Sequence, residues 1–206
     1  MPPKPKYTRE EIVSAALRLV SQKGVEALTA RELGAWLGTS PRPIFTAFES
    51  MEALQQAVRA AAMTRFEQMH CEGCEEMPLF KQIGMKTVQF GCEEPKLYQL
   101  LFMQEQQTVR SFDDMFVLLG ATAMQCVETV RTVYGLNTAQ ARLLFETVWI
   151  YTFGIGALCA TKVCRFSKAQ LGTMLSNEFE AVLQWVRSIP KQGSREAINE
   201  RRTNDA

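Results

Sequence analysis

The stretch from Leu28 to Leu54 restricts this chain to a small number of folds. Apolar residues recur there at helical spacing in two short segments, which are separated by a tight turn and followed by the start of another helix. Thr29 opens the first segment and Glu32 follows three residues later, which is the spacing of a capping box. Gly38 comes directly after the segment, where a helix favours a residue that tolerates positive φ. The first segment is therefore predicted to be a short capped helix that ends in a glycine turn.

The second segment carries start signals of its own. Ser40 is expected to cap it and Pro41 to occupy its first position, where the missing N–H costs nothing. Ile44, Phe45 and Phe48 supply its apolar side. Two short helices joined by a glycine-containing turn form a helix-turn-helix, whose second helix can enter the major groove of DNA.

This block resembles the DNA-binding domain of TetR/AcrR-type transcriptional regulators across residues 8–60. The family pattern has Thr, Gly, Ser, two aromatic residues, Lys and Leu at positions that are here Thr29, Gly38, Ser40, Phe45, Phe48, Met51 and Leu54. Three positions depart from it, because Phe45 replaces a Tyr, Ala47 an aromatic residue or His, and Met51 a Lys. Each departure removes a group that would contact the phosphate backbone. A helical protein whose helix-turn-helix no longer binds DNA is therefore an alternative.

The resemblance implies an all-α fold of about nine helices, with an N-terminal three-helix helix-turn-helix domain and a C-terminal helical ligand-binding and dimerisation domain. The remaining sequence agrees, since its apolar residues follow helical spacing and no Asn-Gly or Asp-Gly hairpin signal interrupts them. The regions that we expect are a flexible basic arm (1–7), the DNA-binding domain (8–50), the ligand-binding and dimerisation domain (51–189) and a disordered tail (190–206).

Positive charge is concentrated at the end of the chain that carries the helix-turn-helix. The first 48 residues hold seven Lys or Arg against four Glu, whereas the whole chain has a formal net charge of +1. A local cationic excess favours nucleic acid as a partner. The resemblance implies that this partner is a double-stranded DNA operator.

The sequence also predicts where the protein works. The N-terminus has no signal-peptide pattern, and no charge-free apolar stretch reaches the roughly 18 residues of a membrane span. The nearest such stretch is Thr147–Thr161. We therefore expect a cytoplasmic protein with reduced cysteines and no membrane partner.

Two arginines are the candidates for reading DNA bases. Arg31 lies opposite the apolar positions Leu33 and Leu37, and Arg42 falls in the first turn of the second short helix. Paired donors on one guanidinium suit guanine, although two solvated arginines would give the same pattern. The candidate DNA-binding residues are Thr29, Arg31, Thr39, Ser40, Pro41, Arg42, Phe45 and Thr46.

Met and aromatic residues are frequent in the second half of the chain, where they can line an adaptable apolar cavity or form an ordinary core. The resemblance implies that a small-molecule inducer binds there and releases a repressor from DNA. Few charged residues stand at apolar helix positions, Arg65 and Arg142 being the nearest, so we expect an apolar or aromatic inducer rather than a strongly anionic one. The candidate pocket residues are Phe66, Met69, Phe90, Tyr98, Phe102, Met103, Phe116, Met124, Trp149 and Tyr151.

The last two long helices carry the predicted dimer contacts. The segment Val148–Ala160 is apolar around most of its circumference, and the final helix has two apolar stripes, one more than its own core needs. The resemblance implies a homodimer joined through these two helices. The candidate interface residues are Gly154, Leu158, Phe179, Val182 and Trp185.

Cys71-x-x-Cys74 leaves a thiol- or metal-sensing regulator as a further alternative. Zinc needs about four ligands, and the chain has no second C-x-x-C and a single histidine, His70. We therefore predict no metal site and no cofactor. The chain also lacks a G-x-S-x-G elbow, an H-E-x-x-H motif and a Gly-rich phosphate loop, so we do not expect an enzyme.

Overall fold

The computed structural model of the chain describes residues 6–69, 78–105 and 111–190, apart from the side chains of residues 117–121. Within these ranges the chain forms nine α-helices, one short 3-10 helix and no strand, which confirms the all-α prediction. The α-helices are α1 (Arg9–Lys23), α2 (Ala30–Trp36), α3 (Arg42–Ala47), α4 (Met51–Gln68), α5 (Leu79–Glu93), α6 (Pro95–Phe102), α7 (Phe112–Tyr134), α8 (Thr138–Ala160) and α9 (Lys168–Ser188), and the 3-10 helix is Val25–Ala27.

Side-chain caps explain where several helices begin. The Thr8, Ser111 and Ser167 hydroxyls accept hydrogen bonds from the backbone N–H three residues later, and each of those later residues bonds back to the cap in a full capping box. Ser50 caps α4 through the N–H of Ala53 at 3.2 Å. Each cap satisfies an N–H that the first helical turn leaves free.

The two short helices begin differently from the sequence prediction. Thr29 does accept from the Glu32 N–H at 3.2 Å, but the Glu32 carboxylate pairs with Lys23 at 3.3 Å instead of returning to Thr29. The predicted Ser40 cap of α3 was wrong, because Pro41 holds the N-cap position with φ −64° and ψ −16° and no side chain caps the helix. The fixed φ of proline already points the chain into the helix, so the entry does not depend on a hydroxyl.

The described chain divides into two compact units. The first takes residues 6–69, 86–105 and 154–166, and the second takes residues 78–85, 111–153 and 167–190. The predicted boundary between residues 50 and 51 stays a prediction. The first unit extends beyond the helix-turn-helix, since one core joins buried residues of α1 to α4 with those of α6: Ile12, Leu19, Leu33, Ile44, Phe48, Leu54, Val58, Leu97 and Tyr98.

Polar side chains tie α1, α4 and α6 together within the first unit. Glu94, next to the start of α6, accepts a hydrogen bond from the Ser21 hydroxyl at 2.9 Å and pairs with Arg65 of α4. At the other end of α6, Arg59 of α4 donates to the carbonyls of Leu100 at 3.0 Å and Leu101 at 2.6 Å. These carbonyls belong to the last turn of α6 and have no helical partner, so one guanidinium both caps α6 and holds it to α4.

The second unit has its core between α7, α8 and α9. Buried Val130, Leu144, Val148, Val182 and Val186 form one cluster, and Ala123, Cys126, Phe145 and Trp149 form another. The buried amide of Gln140 donates to the carbonyls of Val186 at 2.9 Å and Ile189 at 3.1 Å, which joins the start of α8 to the end of α9. The predicted tail from residue 191 onward lies outside the described residues.

Helix α8 is 23 residues long, and its most apolar 18-residue window has a mean hydropathy of 1.6. By length and composition this helix could cross a membrane. Half of that window is buried within the protein. Core helices of globular proteins have the same length and hydropathy, so α8 is weak evidence for a membrane span.

Candidate functional site

The turn between α2 and α3 depends on two glycines. Gly38 has φ +65°, as the sequence predicted, and a side chain there would meet open space. Gly34 is tighter, since a Cβ built on it would lie 3.0 Å from the Thr39 carbonyl oxygen and 3.2 Å from the Pro41 nitrogen. The Thr39 N–H donates to the Gly34 carbonyl at 2.9 Å. Sequence reasoning missed Gly34, because only the folded turn shows how close the backbone comes.

One side of α3 is anchored and the other is free. Ile44 is fully buried and Phe48 is 2% exposed, whereas Phe45 is 52% exposed. The sequence assigned Phe45 both to the apolar side of α3 and to the DNA-binding residues. The exposed ring of Phe45 does not share the buried side with Ile44 and Phe48, because six residues of helix hold only one or two positions toward the core.

Helix α1 and Tyr7, two residues before it, brace the helix-turn-helix. The Arg9 guanidinium donates to the Ala47 carbonyl at 3.0 Å and lies 4.0 Å above the centre of the Phe48 ring. The Tyr7 hydroxyl donates to the Leu37 carbonyl at 2.6 Å. Tyr7 was expected in a flexible arm, but its hydroxyl satisfies the carbonyl at the end of α2 and its ring is half-buried.

The candidate DNA-binding residues gather on the surface of α2, the turn and α3. Thr39 is half-buried, and the others are exposed: Thr29, Arg31, Ser40, Pro41, Arg42, Phe45 and Thr46. Among the described residues, the guanidinium groups of Arg31 and Arg42 have no ion-pair partner. The Thr46 hydroxyl donates to the Arg42 carbonyl at 3.0 Å, so that proton is already used within α3.

A concave surface of about 420 Å³ runs beside the start of α3. Three of its nine lining residues are cationic, namely Lys6, Arg9 and Arg42, and none is acidic. Ser40 and Thr46 add hydroxyl groups to the same surface. Cations and hydroxyls without a competing carboxylate are the groups that bind phosphate oxygens.

Four of the candidate pocket residues form a packed aromatic cluster in the first unit. The ring of Phe66 meets those of Phe90 and Phe102 edge to face at 5.2 and 5.7 Å, and Tyr98 lies 4.9 Å from Phe102. Tyr98 is fully buried, and burial raises the pKa of its hydroxyl. Its ring leaves no room for a side chain at Gly156. These rings fill the space between helices, so they act here as core.

The cavity of the second unit has a volume of about 270 Å³. Aromatic and aliphatic side chains from α5, α7, α8 and α9 form most of its wall, and its polar groups are few. The lining residues are Pro78, Phe80, Lys81, Ile83, Gly84, Cys126, Thr129, Val130, Val133, Tyr134, Phe145, Val148, Trp149, Thr152, Leu175, Ser176, Phe179 and Glu180. A small apolar cavity with a few polar groups is typical of a ligand-binding site.

Trp149 is the one candidate pocket residue that lines this cavity. It is 8% exposed, stacks on Phe145 at 6.0 Å, and its indole Nε1–H has no hydrogen-bond partner among the described residues. An unpaired buried donor costs about 1–3 kcal/mol.

The other candidate pocket residues are not part of the lining of this cavity. Met124 is 59% exposed and Met103 is also exposed, while Met69 and Tyr151 are half-buried. Phe116 packs edge to face on Phe145 at 5.5 Å. Arg65 and Arg142, the nearest charges to apolar positions, are paired with Glu94 and Asp113. Sequence reasoning did not single out Lys81, whose four-carbon stem allows its ammonium group to reach a cavity from a polar helix face.

The candidate dimer residues divide into exposed and internal ones. Gly154, Leu158 and Trp185 are exposed. Val182 is buried in the core of the second unit, and Phe179 is half-buried between Phe80 and Tyr134. These two residues are packed within the second unit, and the three exposed residues are open to solvent.

Cys71 and Cys74 lie outside the described residues. Among the cysteines that are described, Cys92 and Cys159 are hydrogen-bonded neighbours. Burial, followed by the Cys159 contact, raises the pKa of the Cys92 thiol to about 12. A thiol that stays protonated at neutral pH is a weak nucleophile. No group of three or more His, Cys, Asp or Glu side chains in the described chain is placed to hold a metal ion.

Residues 12–58 match the sequence family described as bacterial regulatory proteins, tetR family. No curated protein gives a significant match. The crystal structure of a proposed transcription regulator, SCO7704, from Streptomyces coelicor is similar with a TM-score of 0.50 and 16% sequence identity, over 92% of this chain and 99% of that chain. At that identity the likeness shows the fold alone. The match identifies residues 12–58 as a helix-turn-helix domain of the tetR family of bacterial regulatory proteins, and this domain supports a DNA-binding transcriptional regulator.

Proposed function

We propose that this regulator is a repressor that binds a DNA operator as a homodimer and leaves it when a small apolar or aromatic inducer binds. The observation that carries the DNA half of the proposal is that Arg31 and Arg42 are exposed and have no ion-pair partner in the described chain, and that Arg42 lines a cationic surface without an acidic residue. An arginine held in an internal ion pair would have to break that pair before it could bind a base.

Within this proposal the two sides of α3 have different tasks. Arg42, in its first turn, reads a base edge in the major groove, where its paired donors suit guanine. Lys6 and Ser40 bind phosphate oxygens beside it, and the exposed Phe45 lies against the sugar-phosphate backbone. Arg9 is committed to Ala47 and Phe48, so its task is to hold α3 in place.

Two copies are needed because one copy makes few phosphate contacts. A dimer doubles those contacts, and the salt dependence of binding doubles with them. Ile150, Gly154 and Leu158 are exposed at intervals of four residues along α8, and Trp185 is exposed on α9. These apolar positions support a helix-to-helix interface between subunits, as the family resemblance implies. Light scattering at micromolar concentration tests it, and a monomeric mass contradicts it.

The inducer half of the proposal depends on the cavity of the second unit. Helices α5 and α8 each contribute residues to both compact units. A ligand that changes the position of either helix can therefore act on residues of the first unit, and a coupling of about 1–3 kcal/mol is enough for a switch. Since operator DNA lies in the cytoplasm, we place the protein there, with DNA and inducer as its partners and no catalytic role.

Fluorescence anisotropy with DNA from the protein's own upstream region tests the proposal. Arg42→Ala should weaken operator binding by about 1–3 kcal/mol and relax the base preference at one operator position. Arg18→Ala is the matched control, because Arg18 is exposed on α1 and already donates to Ser14 at 3.0 Å.

An unchanged affinity and base preference in the Arg42→Ala variant would remove this residue from the interface. Failure of the wild-type protein to bind any upstream fragment would favour the alternative of a helix-turn-helix that has lost its DNA contacts. Release from DNA by diamide or zinc, with no effect of apolar compounds, would favour the thiol- or metal-sensing alternative and direct mutagenesis to Cys71 and Cys74.

A further inference from the structure

The cavity of the second unit has an imbalance in its hydrogen-bonding groups. Hydroxyl groups of three lining residues already donate their protons to backbone carbonyls: Thr129 to Gln125 at 2.7 Å, Thr152 to Val148 at 2.7 Å and Ser176 to Gly172 at 2.7 Å. These hydroxyls therefore add no free donor to the cavity wall.

Two nitrogen donors behave differently. The indole Nε1–H of Trp149 is buried and has no partner among the described residues. The Lys81 ammonium donates to the Ser176 hydroxyl oxygen at 2.7 Å, which uses one of its three protons. The cavity wall therefore offers donor capacity on a mostly apolar surface.

The volume limits what can enter. About 270 Å³ lies just below the roughly 300 Å³ at which pockets for drug-sized ligands begin. A cavity of about 150 Å³ already holds benzene, so this one has room for one or two fused rings. Phe80, Phe145 and Phe179 on its wall favour an aromatic guest.

We propose that this cavity binds a one- or two-ring aromatic molecule that carries a single hydrogen-bond-accepting group, a ketone or a carboxylate, and that the acceptor receives the Nε1–H of Trp149. This inference depends on the proposed function, because it names the chemical class of the inducer. A ligand with such an acceptor satisfies the buried donor, whereas a plain hydrocarbon leaves it unpaired. Lys81 adds a charge-assisted contact if the acceptor is a carboxylate.

The sequence-based expectation for the inducer is refined in one respect. An apolar aromatic body is retained, but Lys81 makes a single carboxylate compatible with the site. Glu180 also lines the cavity, so a cationic amine is the competing chemistry that the experiment has to separate.

The experiment measures binding to the full-length protein by isothermal titration calorimetry with four probes of one shape. These probes are naphthalene, 2-acetylnaphthalene, 2-naphthoate and 2-(aminomethyl)naphthalene. We expect the ketone and the carboxylate to bind about five- to tenfold more tightly than naphthalene, which is the gain of one hydrogen bond. Trp149→Phe keeps a ring but removes the donor, and should abolish that advantage while changing naphthalene affinity little. Trp36→Phe is the matched control, because Trp36 lies on α2 and away from the cavity lining.

Lys81→Met separates the two acceptors. A selective loss of 2-naphthoate affinity, of about tenfold, supports a carboxylate ligand, and an unchanged pair of affinities supports a neutral ketone. Lys86→Met is the control, since Lys86 donates to the Glu67 carbonyl in the first unit. The inference is overturned if no probe binds, if the amine binds best, or if Trp149→Phe leaves the ratio of ketone to naphthalene affinity unchanged. A melting curve for each variant ensures that affinities are compared between folded proteins.

Operator binding is measured separately by anisotropy. If probes with an acceptor bind more tightly than naphthalene but do not release the operator, the ligand class is supported and the inducer role is contradicted. If the protein binds its operator but shows no preference for probes with an acceptor, the DNA-binding function is supported and the ligand class is contradicted. The two failures are therefore distinguishable.

Discussion

The helix-turn-helix and the cavity of the second unit both present side chains to a partner, but they are built over different distances in the sequence. The turn between α2 and α3 is made within residues 34–41, where Gly34, Gly38 and Thr39 meet their own near neighbours. The cavity needs α5, α7, α8 and α9, so that Lys81 meets Ser176 across 95 residues. Local geometry dictates the first site, and only the assembled unit creates the second.

The largest loss of stability is expected from a substitution at the buried side of α3. Phe48→Ala removes a ring that is 2% exposed and that contacts the Arg9 guanidinium through its face. This substitution should destabilise the first unit by about 3–5 kcal/mol. Phe45→Ala should change stability by less than about 0.5 kcal/mol, because that ring is exposed. Urea denaturation measures both variants, and equal losses would contradict the assignment of Phe48 to the core and Phe45 to the surface.

The glycine turn gives the next largest effect. Gly34→Ala places a methyl group against the Thr39 carbonyl and the Pro41 nitrogen, and neither backbone group can rotate away. We expect a loss of about 1–3 kcal/mol and weaker operator binding, because α3 has to shift. Gly38→Ala meets open space, so its cost of about 1–2 kcal/mol comes from positive φ alone. The two variants should also differ in operator affinity, and Gly38→Ala should retain more of it than Gly34→Ala. If Gly38→Ala instead binds the operator more weakly, the contact at Gly34 does not set the position of α3.

A smaller loss of stability is expected where the start of α8 is joined to the end of α9. Gln140→Leu keeps the side chain's approximate volume but removes the donors to the Val186 and Ile189 carbonyls, at a cost of about 1 kcal/mol per bond. Hydrogen exchange should rise at the end of α9 and stay unchanged in α2 and α3. Increased exchange in α2 and α3 as well would show that the two regions do not unfold separately.

The smallest effect is expected at Cys92. The residue is exposed at the surface, but partial burial of its thiol and the contact with Cys159 raise its pKa from 9.0 to about 12, so at pH 8 it holds much less thiolate than an ordinary cysteine. Because the unfolded chain ionises this thiol first, the contribution of Cys92 to stability is constant below about pH 9 and declines as the pH rises toward 12. Iodoacetamide at pH 8 should therefore modify Cys92 slowly, as peptide mass spectrometry can measure. Rapid modification would reopen a redox role for the Cys92–Cys159 pair.

Sequence reasoning predicted the parts of the helix-turn-helix that depend on neighbouring residues. The structural roles of Thr29, Gly38 and Ser50 depend on residues only three or four positions away, so the local sequence pattern predicts them. The Arg9 contact with Ala47 and the Tyr7 contact with Leu37 join residues that are 38 and 30 positions apart. No local pattern carries that information, so the bracing of the turn appeared only in the structure.

The cavity was harder to predict for a different reason. Apolar helical spacing shows that a side chain is turned inward but does not show whether other atoms fill the space it faces. Phe66, Phe90 and Trp149 are all aromatic residues within helices, yet the first two pack against each other and the third lines a cavity. Lys81 was missed because a lysine on a helix normally belongs to a solvated face.

The close approach of α5 and α8 inside the first unit has a consequence for how relatives of this protein can change over time. A Cβ at Gly91 would lie 2.7 Å from the Gly156 carbonyl oxygen, and any side chain at Gly156 would collide with the ring of Tyr98. Three positions in different helices therefore accept substitution only in concert. A lineage that gained alanine at position 156 would have to acquire a smaller residue than Tyr at position 98, or a wider helix crossing, before or together with that change. In an alignment of homologues, positions 91, 98 and 156 should covary.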